Sequence, residues 1–186
     1  MKYFKKLVGE KVYLSPRNME DIELYVQWLN DFHTTDYIGR SHQTISIEEE
    51  REYLENPMKD EISFAIVDLT KDLLIGTLSL CHINYIKRTA TLGIFIGNPE
   101  YRSKGYGTEA IKLLLEYAFH YLNLNNIKLD VLEINQRAIS CYKKCGFKEY
   151  GRRRKCNFIN GKYYDTIEMG ILAEEFEGDY IKNKNI

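Results

Sequence analysis

The stretch that decides the fold is "NPEYRSKGYGTEAIKLLLEYAF", residues 98–119. Gly105 and Gly107 come directly before a segment whose apolar residues recur at spacings of three and four, which is typical of an amphipathic helix. The first N–H groups of a helix lack partners within the helix, and the helix dipole favours negative charge there. Glycine removes the Cβ that would keep a phosphate from the backbone. The pattern therefore predicts a phosphate-binding turn, flanked by the positive charges of Arg102 and Lys104; a plain strand-to-helix connector is the alternative.

The composition indicates an ordinary globular protein. The chain has 186 residues, of which 44% are hydrophobic and 28% charged, so we expect one domain with a substantial core. A net charge of −1 gives no electrostatic reason to expect nucleic-acid binding. No run is long enough for a membrane span and no secretory signal is evident, so we expect a cytoplasmic protein without a membrane partner. The four cysteines lack Cys-x-x-Cys spacing, so we expect free thiols and no metal site.

The hydrophobic pattern along the chain predicts the order strand, two helices, three strands, helix, strand, helix, two strands. The long helix spans about residues 104–122, and it forms the one strand–helix–strand crossover, which should be parallel and right-handed. The predicted fold class is α/β (α+β): a mixed, mostly antiparallel central sheet of six to seven strands, with about four helices on both faces. We expect residues 1–174 to form a single domain and residues 175–186 to be a frayed C-terminal tail.

Two phosphate-binding motifs fit the glycines. Gly105, Gly107 and Ala110, with Asp130 further on, match the dinucleotide-binding fingerprint. That fingerprint lies in a tight turn directly after a strand, whereas here a polar segment separates "GIFI" from Gly105, and the chain offers only one crossover. The acyl-CoA loop pattern, Gln/Arg-x-x-Gly-x-Gly/Ala, is filled by "RSKGYG", residues 102–107. The context favours this second motif.

A second motif, "NQRAISCYKKCGF" (residues 135–147), follows the next predicted strand. The linked pair R-x-x-G-x-G and N-x-x-A-x-x-x-Y-x-x-x-G-F resembles the GCN5-related N-acetyltransferase (GNAT) superfamily, especially its RimJ/RimL-like branch. The resemblance covers nearly the whole chain. The segments "CHINYIKRTA" and "NGKYYD" are similar to spermidine acetyltransferases and also to ribosomal-protein N-terminal acetylases. The resemblance implies a sheet splayed between the fourth and fifth predicted strands, and direct transfer of an acetyl group from acetyl-CoA to a primary amine.

The resemblance also implies where acetyl-CoA, the co-substrate, would bind. Pantetheine would lie in the gap between "LGIFIG" and "KLDVLEI". A backbone N–H near Ile96 or Gly97 would polarise the thioester carbonyl, as oxyanion-hole donors do. Asn135 would reach the pantetheine arm, cap the following helix, or do both. The pyrophosphate would meet the backbone of seven residues: Arg102, Ser103, Lys104, Gly105, Tyr106, Gly107 and Thr108.

The resemblance implies one catalytic residue and leaves another open. Tyr142 matches the tyrosine that donates a proton to the departing CoA thiolate; a core tyrosine is the alternative. Related sequences often carry a glutamate where this chain has Thr91, which cannot act as a base. His82 and Asp165 are candidate substitutes. An amine that arrives neutral, or one that is deprotonated through water, would need no dedicated residue.

The acceptor groove of the fold should be lined by "WLNDFHTTDYIGR" and "NGKYYDT", which offer Asp31, Asp36 and Asp165 beside several tyrosines. Carboxylates and aromatic rings suit a cationic acceptor such as a polyamine or a peptide N-terminus. The function predicted is an N-acetyltransferase. The alternative is a catalytically weak CoA-binding regulatory domain, which the threonine at position 91 leaves open. The resemblance also leaves a homodimer open.

Overall fold

The computed structural model describes residues 2–184, and within them the chain forms one eight-stranded sheet with helices on both faces. Along the sheet the strands follow the order β1-β2-β3-β4-β5-β6-β8-β7, and every neighbouring pair is antiparallel except β5 with β6. The strands are β1 Leu7–Val8, β2 Val12–Pro16, β3 Ile62–Asp68, β4 Leu74–Asn84, β5 Thr89–Ile96, β6 Asn126–Leu132, β7 Lys148–Ile159 and β8 Lys162–Leu172. The helices are α1 Ile22–Leu29, α2 Phe32–Ile38, α3 Ile47–Glu55, α4 Tyr106–Glu116 and α5 Gln136–Lys144.

The predicted fold class is confirmed, with two differences in detail. The two-residue strand β1 is too short to leave a pattern in the sequence, and it adds an eighth strand. An additional short helix, α2, lies between the two helices predicted ahead of β3. Asn30 ends α1, and the Asp31 side chain accepts the N–H of His33 and so starts a new helix.

The amphipathic segment that follows the glycines is the central helix α4, and it continues into a π-helical turn at Tyr117–Tyr121. Its apolar face is fully buried against the sheet, with Ile111, Leu113 and Leu114 at 0% exposure. The helix therefore fixes the loop at its own N-terminus against a rigid core. Among the described residues, no helix combines the length and the apolar character that a bilayer crossing requires.

The sheet opens between β5 and β6, as expected. Only Thr89–Thr91 of β5 pair with Asn126–Lys128 of β6. Beyond these pairs, β5 stays with β4 as far as Ile96, whereas β6 stays with β8 as far as Leu132. The C-terminal parts of the two strands, beyond Thr91 in β5 and Lys128 in β6, therefore lie on opposite sides of a gap.

The expectation of a frayed tail is wrong for the residues that the structure describes. The carboxylate of Glu116 is fully buried, and it accepts the N–H of Ile181 at 3.0 Å and a hydrogen bond from Lys184 Nζ at 2.8 Å. Ile181 is itself buried, and Lys182 donates its N–H to Val8 O at 2.7 Å. A buried carboxylate needs such partners, so the tail packs against the end of α4.

Candidate active site

The gap in the sheet widens into a cleft of about 970 Å³. One part, which we call the loop end, is formed by residues 102–108, the gap strands and α5. The other part, the carboxylate end, is formed by Arg17, Glu50, Tyr53, Glu61 and Cys81. The volume lies at the upper end of the range that is usual for ligand sites.

The loop end offers a row of free backbone donors. Ser103 and Gly105 both have positive φ, 60° and 89°, and these turn the chain into the first residue of α4. The N–H of Arg102 bonds to Pro99 O, but from Ser103 to Thr108 the backbone N–H groups find no acceptor within residues 2–184. Six consecutive unpaired donors at the N-terminus of an 11-residue helix have the arrangement that binds anions in proteins.

The physical reason for a glycine differs among the three predicted positions, 105, 107 and 97. Gly105 has φ +89°, a conformation that side chains disfavour. A Cβ on Gly107 would lie 3.7 Å from Ile96, an ordinary contact, so packing alone does not require glycine there. A Cβ on Gly97 would lie 2.0 Å from the ring of Trp28, which lies in α1. Packing against α1 therefore requires glycine at this position. Ile96, by contrast, lines the cleft.

The guanidinium of Arg102 is bound by the protein itself. Nε donates to Ile96 O at 2.9 Å, and Nη2 donates to Gly97 O at 3.1 Å and to Thr34 Oγ1 at 2.9 Å. Burial lowers the pKa of this group. Arg102 therefore joins the end of β5 to α2, and it does not extend freely beside the turn as a flanking charge.

The fold brings one further cation beside the loop, from a part of the sequence with no binding motif. Lys11 lies far away in the chain, and its Nζ donates to the Lys104 carbonyl at 3.1 Å. The side chain of Tyr106 does not line the cleft, and its ring packs on Tyr101 with centroids 5.0 Å apart. Only the backbone of Tyr106 can contribute to the loop end. No local pattern marks Lys11, because only the fold brings β2 beside this loop.

Tyr142 lines the cleft from α5, with 8% of the residue exposed and its ring 5.9 Å from that of Phe147. Its hydroxyl has no hydrogen-bond partner among the described residues and is not sealed from the cleft. Burial raises the pKa of this phenol above its ordinary value. The hydroxyl is therefore protonated at neutral pH and available as a donor.

Asn135 also lines the cleft, and its side chain has two structural bonds. Oδ1 accepts the N–H of Ala138 at 3.1 Å, which caps α5, and Nδ2 donates to Tyr37 O at 3.1 Å in α2. The helix-capping role is confirmed. Because α2 packs on both β5 and β6, Asn135 and Arg102 together fix α2 over the open end of the gap.

The three aspartates predicted for the acceptor lie outside the walls of this cleft. Asp31 caps α2, and Asp36 is partly buried on the same helix. Asp165 is held by Arg152 Nε at 2.7 Å and by the N–H of Lys155 at 2.8 Å. His82 lies outside as well: it is largely exposed in a β-bulge of β4, with Nδ1 3.8 Å from Asp60. The structure therefore gives neither Asp165 nor His82 a path to the gap as a base.

The carboxylate end is built from residues that the sequence analysis did not select. Glu50 is buried and forms an ion pair with Arg17, whose guanidinium carbon lies 5.0 Å from the centroid of the Tyr53 ring. The Tyr53 hydroxyl donates to one oxygen of Glu61. The other oxygen, Oε2, is buried without a hydrogen-bond partner among residues 2–184. A buried carboxylate oxygen without a partner is costly, so it is a ready acceptor for an incoming cation.

Comparisons with known proteins agree with this geometry. The family model for the acetyltransferase (GNAT) domain matches residues 11–148. The chain is 40% identical over 116 residues to the spermidine N(1)-acetyltransferase of Vibrio cholerae, covering 62% of this chain and 66% of that protein. It is 34% identical over 180 residues to Bacillus subtilis YjcK, named as a probable N-acetyltransferase, covering 92% of this chain and 99% of that one. Among solved structures, the spermidine N-acetyltransferase of Vibrio cholerae in complex with CoA and spermine superposes with a TM-score of 0.81 at 32% identity, covering 89% of this chain and 97% of that chain.

Proposed function

The chain belongs to the GNAT acetyltransferase family, whose members use acetyl-CoA, and from that premise we propose that it transfers the acetyl group to a primary amine of a polyamine-like cation. The observation that carries the proposal is the cleft itself. One continuous cavity joins a row of free N–H donors, a free phenol and an unpaired carboxylate oxygen.

The loop end would hold the coenzyme. The N–H groups from Ser103 to Thr108 would bind the pyrophosphate, because six aligned donors at a helix N-terminus match a compact double negative charge. Pantetheine would extend along the gap, where β5 beyond Thr91 lacks a partner strand. Ile96 borders this gap, and a backbone N–H at that point would polarise the thioester carbonyl.

The acetyl group would move directly from sulfur to nitrogen. The amine attacks the thioester carbonyl, the resulting tetrahedral intermediate collapses, and CoA leaves as a thiolate. Tyr142 would donate to the sulfur as the C–S bond breaks. Because its pKa is raised, Tyr142 is a weaker acid than a thiol of pKa about 8.5, so a proton given to sulfur must be replaced. The ammonium formed on the acceptor nitrogen supplies that proton, and the net result is one proton moved from nitrogen to sulfur.

The carboxylate end would bind a positively charged part of the acceptor. The free oxygen of Glu61 would accept a hydrogen bond from an ammonium group, and Tyr53 would hold the carboxylate in place through the other oxygen. A charged hydrogen bond of this kind is worth roughly 1.5–3 kcal/mol. A cation with two or more amino groups can place one at Glu61 and another at the thioester, which favours a polyamine over a simple monoamine.

No residue has to act as a dedicated base in this scheme. Thr91 forms the last β5–β6 pair before the gap and is not in the wall of the cleft. The cleft is open to solvent, so the amine can lose its proton through water. We therefore expect the rate to rise with pH as the fraction of neutral amine increases.

The test combines binding with turnover. Acetyl-CoA should raise the melting temperature of the protein, because it binds only the folded state, whereas NAD should not. Release of the CoA thiol should then be measured with spermidine, a monoamine and a short peptide carrying a free N-terminus. We expect spermidine to give the highest kcat/KM. Binding of acetyl-CoA without thiol release for any amine would favour the regulatory alternative, and no binding at all would overturn the proposal.

A further inference from the structure

Two thiols border the loop end of the cleft. Cys141 and Cys145 lie one helical turn apart on α5 and contact the first turn of α4. Cys141 Sγ lies 3.2 Å from the Thr108 hydroxyl oxygen, and Cys145 Sγ donates to the Thr108 carbonyl at 3.6 Å. Cys141 is half-buried and lines the cleft, whereas Cys145 is buried behind it. The proposed acetyltransferase mechanism uses neither thiol.

The surroundings of Cys141 stabilise its thiolate. The neighbouring Cys145 thiol has the largest effect, and it outweighs burial so that the pKa of Cys141 is lowered below that of an ordinary cysteine. The Thr108 hydroxyl and the cationic side chains of Lys144 and Arg137 lower the pKa further. Arg137 and Lys144 both line the cleft beside Cys141.

A second cysteine in the cleft provides an internal contrast. Cys81 lies at the carboxylate end, where burial raises the pKa of its thiol and the negative charges of Glu61 and Asp60 act in the same direction. Thiolates, not thiols, react with disulfides. The two cysteines therefore face one cavity with opposite electrostatic surroundings.

We propose that Cys141 is a reversible thiol-modification site, at which a low-molecular-weight disulfide reacts and closes the coenzyme cleft. The Cys141 thiolate attacks one sulfur of the disulfide. The S–S bond of the reagent breaks, a new S–S bond forms to Cys141 Sγ, and the second sulfur leaves as a thiolate. Cys141 is oxidised and half of the reagent is reduced, so no further oxidant is needed. A free thiol reverses the exchange by the same chemistry.

The adduct and the coenzyme would compete for one space. Cys141 contacts Thr108, whose backbone N–H belongs to the row of donors at the head of α4. A group attached to Cys141 therefore extends into the space that the proposed pyrophosphate site needs. This inference rests on the proposed function, because it assumes that the coenzyme binds at this loop.

The size of the effect at neutral pH follows from ionisation and nucleophilicity. An ordinary cysteine of pKa about 8.5 is roughly 3% ionised at pH 7, and a lowered pKa raises that fraction at Cys141. A more acidic thiolate is a weaker nucleophile, with a Brønsted coefficient of about 0.4–0.5, which removes about half of the gain on a logarithmic scale. The net expectation is a rate at pH 7 that rises roughly threefold for each unit by which the pKa is lowered, relative to an ordinary thiol of equal access.

The experiment uses the full chain with glutathione disulfide as the probe, at several pH values, with and without acetyl-CoA. Peptide mass spectrometry identifies the modified cysteine directly in the unaltered protein. We expect one glutathionyl group on Cys141, half-maximal reactivity at a pH below the ordinary cysteine pKa of about 8.5, and protection by acetyl-CoA. Treatment with dithiothreitol should remove the group and restore the thermal shift that acetyl-CoA gives.

Three single variants locate the effect. Cys141→Ser should abolish the acetyl-CoA-sensitive modification. Cys81→Ser, at the other thiol in the cleft wall, should leave it unchanged. Cys145→Ala removes the neighbouring thiol that lowers the pKa of Cys141, and it should raise the pH at which Cys141 reacts. The exposed Cys156 lies outside the cleft walls, so any modification of it should not respond to acetyl-CoA.

The outcomes separate this inference from the proposed function. If acetyl-CoA raises the melting temperature but does not protect Cys141, the inference is wrong and the proposed function stands. Modification that falls mainly on Cys81 or Cys156 would overturn the inference as well, as would modified protein that still binds acetyl-CoA. If acetyl-CoA gives no thermal shift even in unmodified protein, the proposed function fails.

Discussion

The two ends of the cleft present different parts of the protein to a ligand. The loop end offers backbone N–H groups from six consecutive residues, 103–108, held by one turn and one helix. The carboxylate end offers side chains from separate segments: Arg17 follows β2, Tyr53 lies in α3, and Glu61 directly precedes β3. A backbone site needs only the right local conformation, whereas a side-chain site needs several segments to converge.

This difference has a consequence for tolerance to mutation. At the loop end, most side chains can change without removing a donor, and only residues that set the backbone conformation matter. At the carboxylate end, each side chain is itself the contacting group. We therefore expect conservative substitutions to have strong effects at the carboxylate end and small effects at the loop end, apart from glycine positions.

The largest effect should come from Tyr142→Phe, at a residue that we assign to chemistry and not to binding at either end. Loss of the hydroxyl should lower kcat by about 10²- to 10⁴-fold, the usual contribution of a positioned proton donor. The acetyl-CoA thermal shift should remain, because the ring still fills its place beside Phe147. Steady-state thiol release at saturating substrates measures kcat directly.

A matched control is Tyr150→Phe, which removes a hydroxyl from an exposed tyrosine outside the cleft walls and should leave kcat unchanged. The raised pKa of Tyr142 gives a further check. The phenol stays protonated through the neutral and mildly alkaline range, so kcat should show no fall there caused by this group. An intact kcat in the phenylalanine variant would remove Tyr142 from the mechanism.

The next largest effect should come from Glu61→Gln at the carboxylate end. The variant keeps the size of the side chain but loses its charge, and with it a charged hydrogen bond of roughly 1.5–3 kcal/mol. The kcat/KM for a polyamine should therefore fall by roughly 10- to 100-fold. The affinity for acetyl-CoA should stay the same, since the loop end is untouched. Initial rates with varied spermidine at fixed acetyl-CoA measure the first quantity, and calorimetry measures the second.

The control for Glu61 is Asp36→Asn, at a carboxylate that the sequence suggested for the acceptor and that the structure places outside the cleft walls. We expect no change in kcat/KM for that variant. Equal losses in both variants would mean that the general negative charge of the protein, and not a local contact, attracts the acceptor. A loss confined to Asp36→Asn would restore the sequence prediction.

Most elements of the fold could be predicted because each one leaves its own hydrophobic pattern in a short stretch of the sequence. The apolar spacing of residues 106–116 and the alternation in "NIKLDVLEI" each predict an element that the structure contains. The tail could not be predicted in this way. Its anchor is Glu116, whose buried carboxylate meets Ile181 and Lys184 only after the chain has folded. The sequence signal for this anchor was Glu116 itself, a charged residue within an apolar helix pattern.

The two ends of the candidate site also differ in how far the sequence predicts them. The loop end is marked by "RSKGYG", because glycine spacing reports backbone geometry directly. The carboxylate end carries no motif: Glu61 is one acidic residue among many, and its partner Tyr53 lies eight residues earlier, in α3. Asp31 and Asp165 fitted the expected chemistry, but local structure uses them as a helix cap and as an ion-pair partner. A sequence shows which residues are charged, but it does not show which group each charged side chain binds in the folded protein.

A smaller effect should come from Gly105→Ala at the loop end. The alanine side chain disfavours the positive φ at this position by roughly 1–2 kcal/mol, and leaving that conformation would misdirect the neighbouring donors. Acetyl-CoA affinity should fall by roughly 5- to 30-fold. Gly161→Ala is the matched control. Gly161 also has a positive φ, +76°, but it lies in the β7–β8 turn with nothing near its Cβ, so it should lose stability without losing affinity. Similar affinity for acetyl-CoA in both variants would contradict the backbone site.

The smallest effect on ligand binding should come from Arg102→Lys. This variant distinguishes two roles for Arg102: a phosphate contact at the loop end, or a structural link that holds α2 over the open end of the gap. In the structure its guanidinium is shared among Ile96 O, Gly97 O and Thr34 Oγ1. A lysine ammonium cannot reproduce that planar fork. Losing one or two of these bonds should cost about 1–2 kcal/mol of folding stability, a fall of about 2–8 °C in melting temperature for a chain of this size. Acetyl-CoA affinity should change by no more than about threefold, because the backbone donors remain.

Lys104→Gln is the control variant. It removes a charge beside the loop from a side chain that makes no structural hydrogen bond, so it should leave the melting temperature unchanged. If Arg102→Lys instead keeps its stability and loses affinity by tenfold or more, the arginine is a coenzyme contact, and the loop end depends on a side chain in the way that the carboxylate end does.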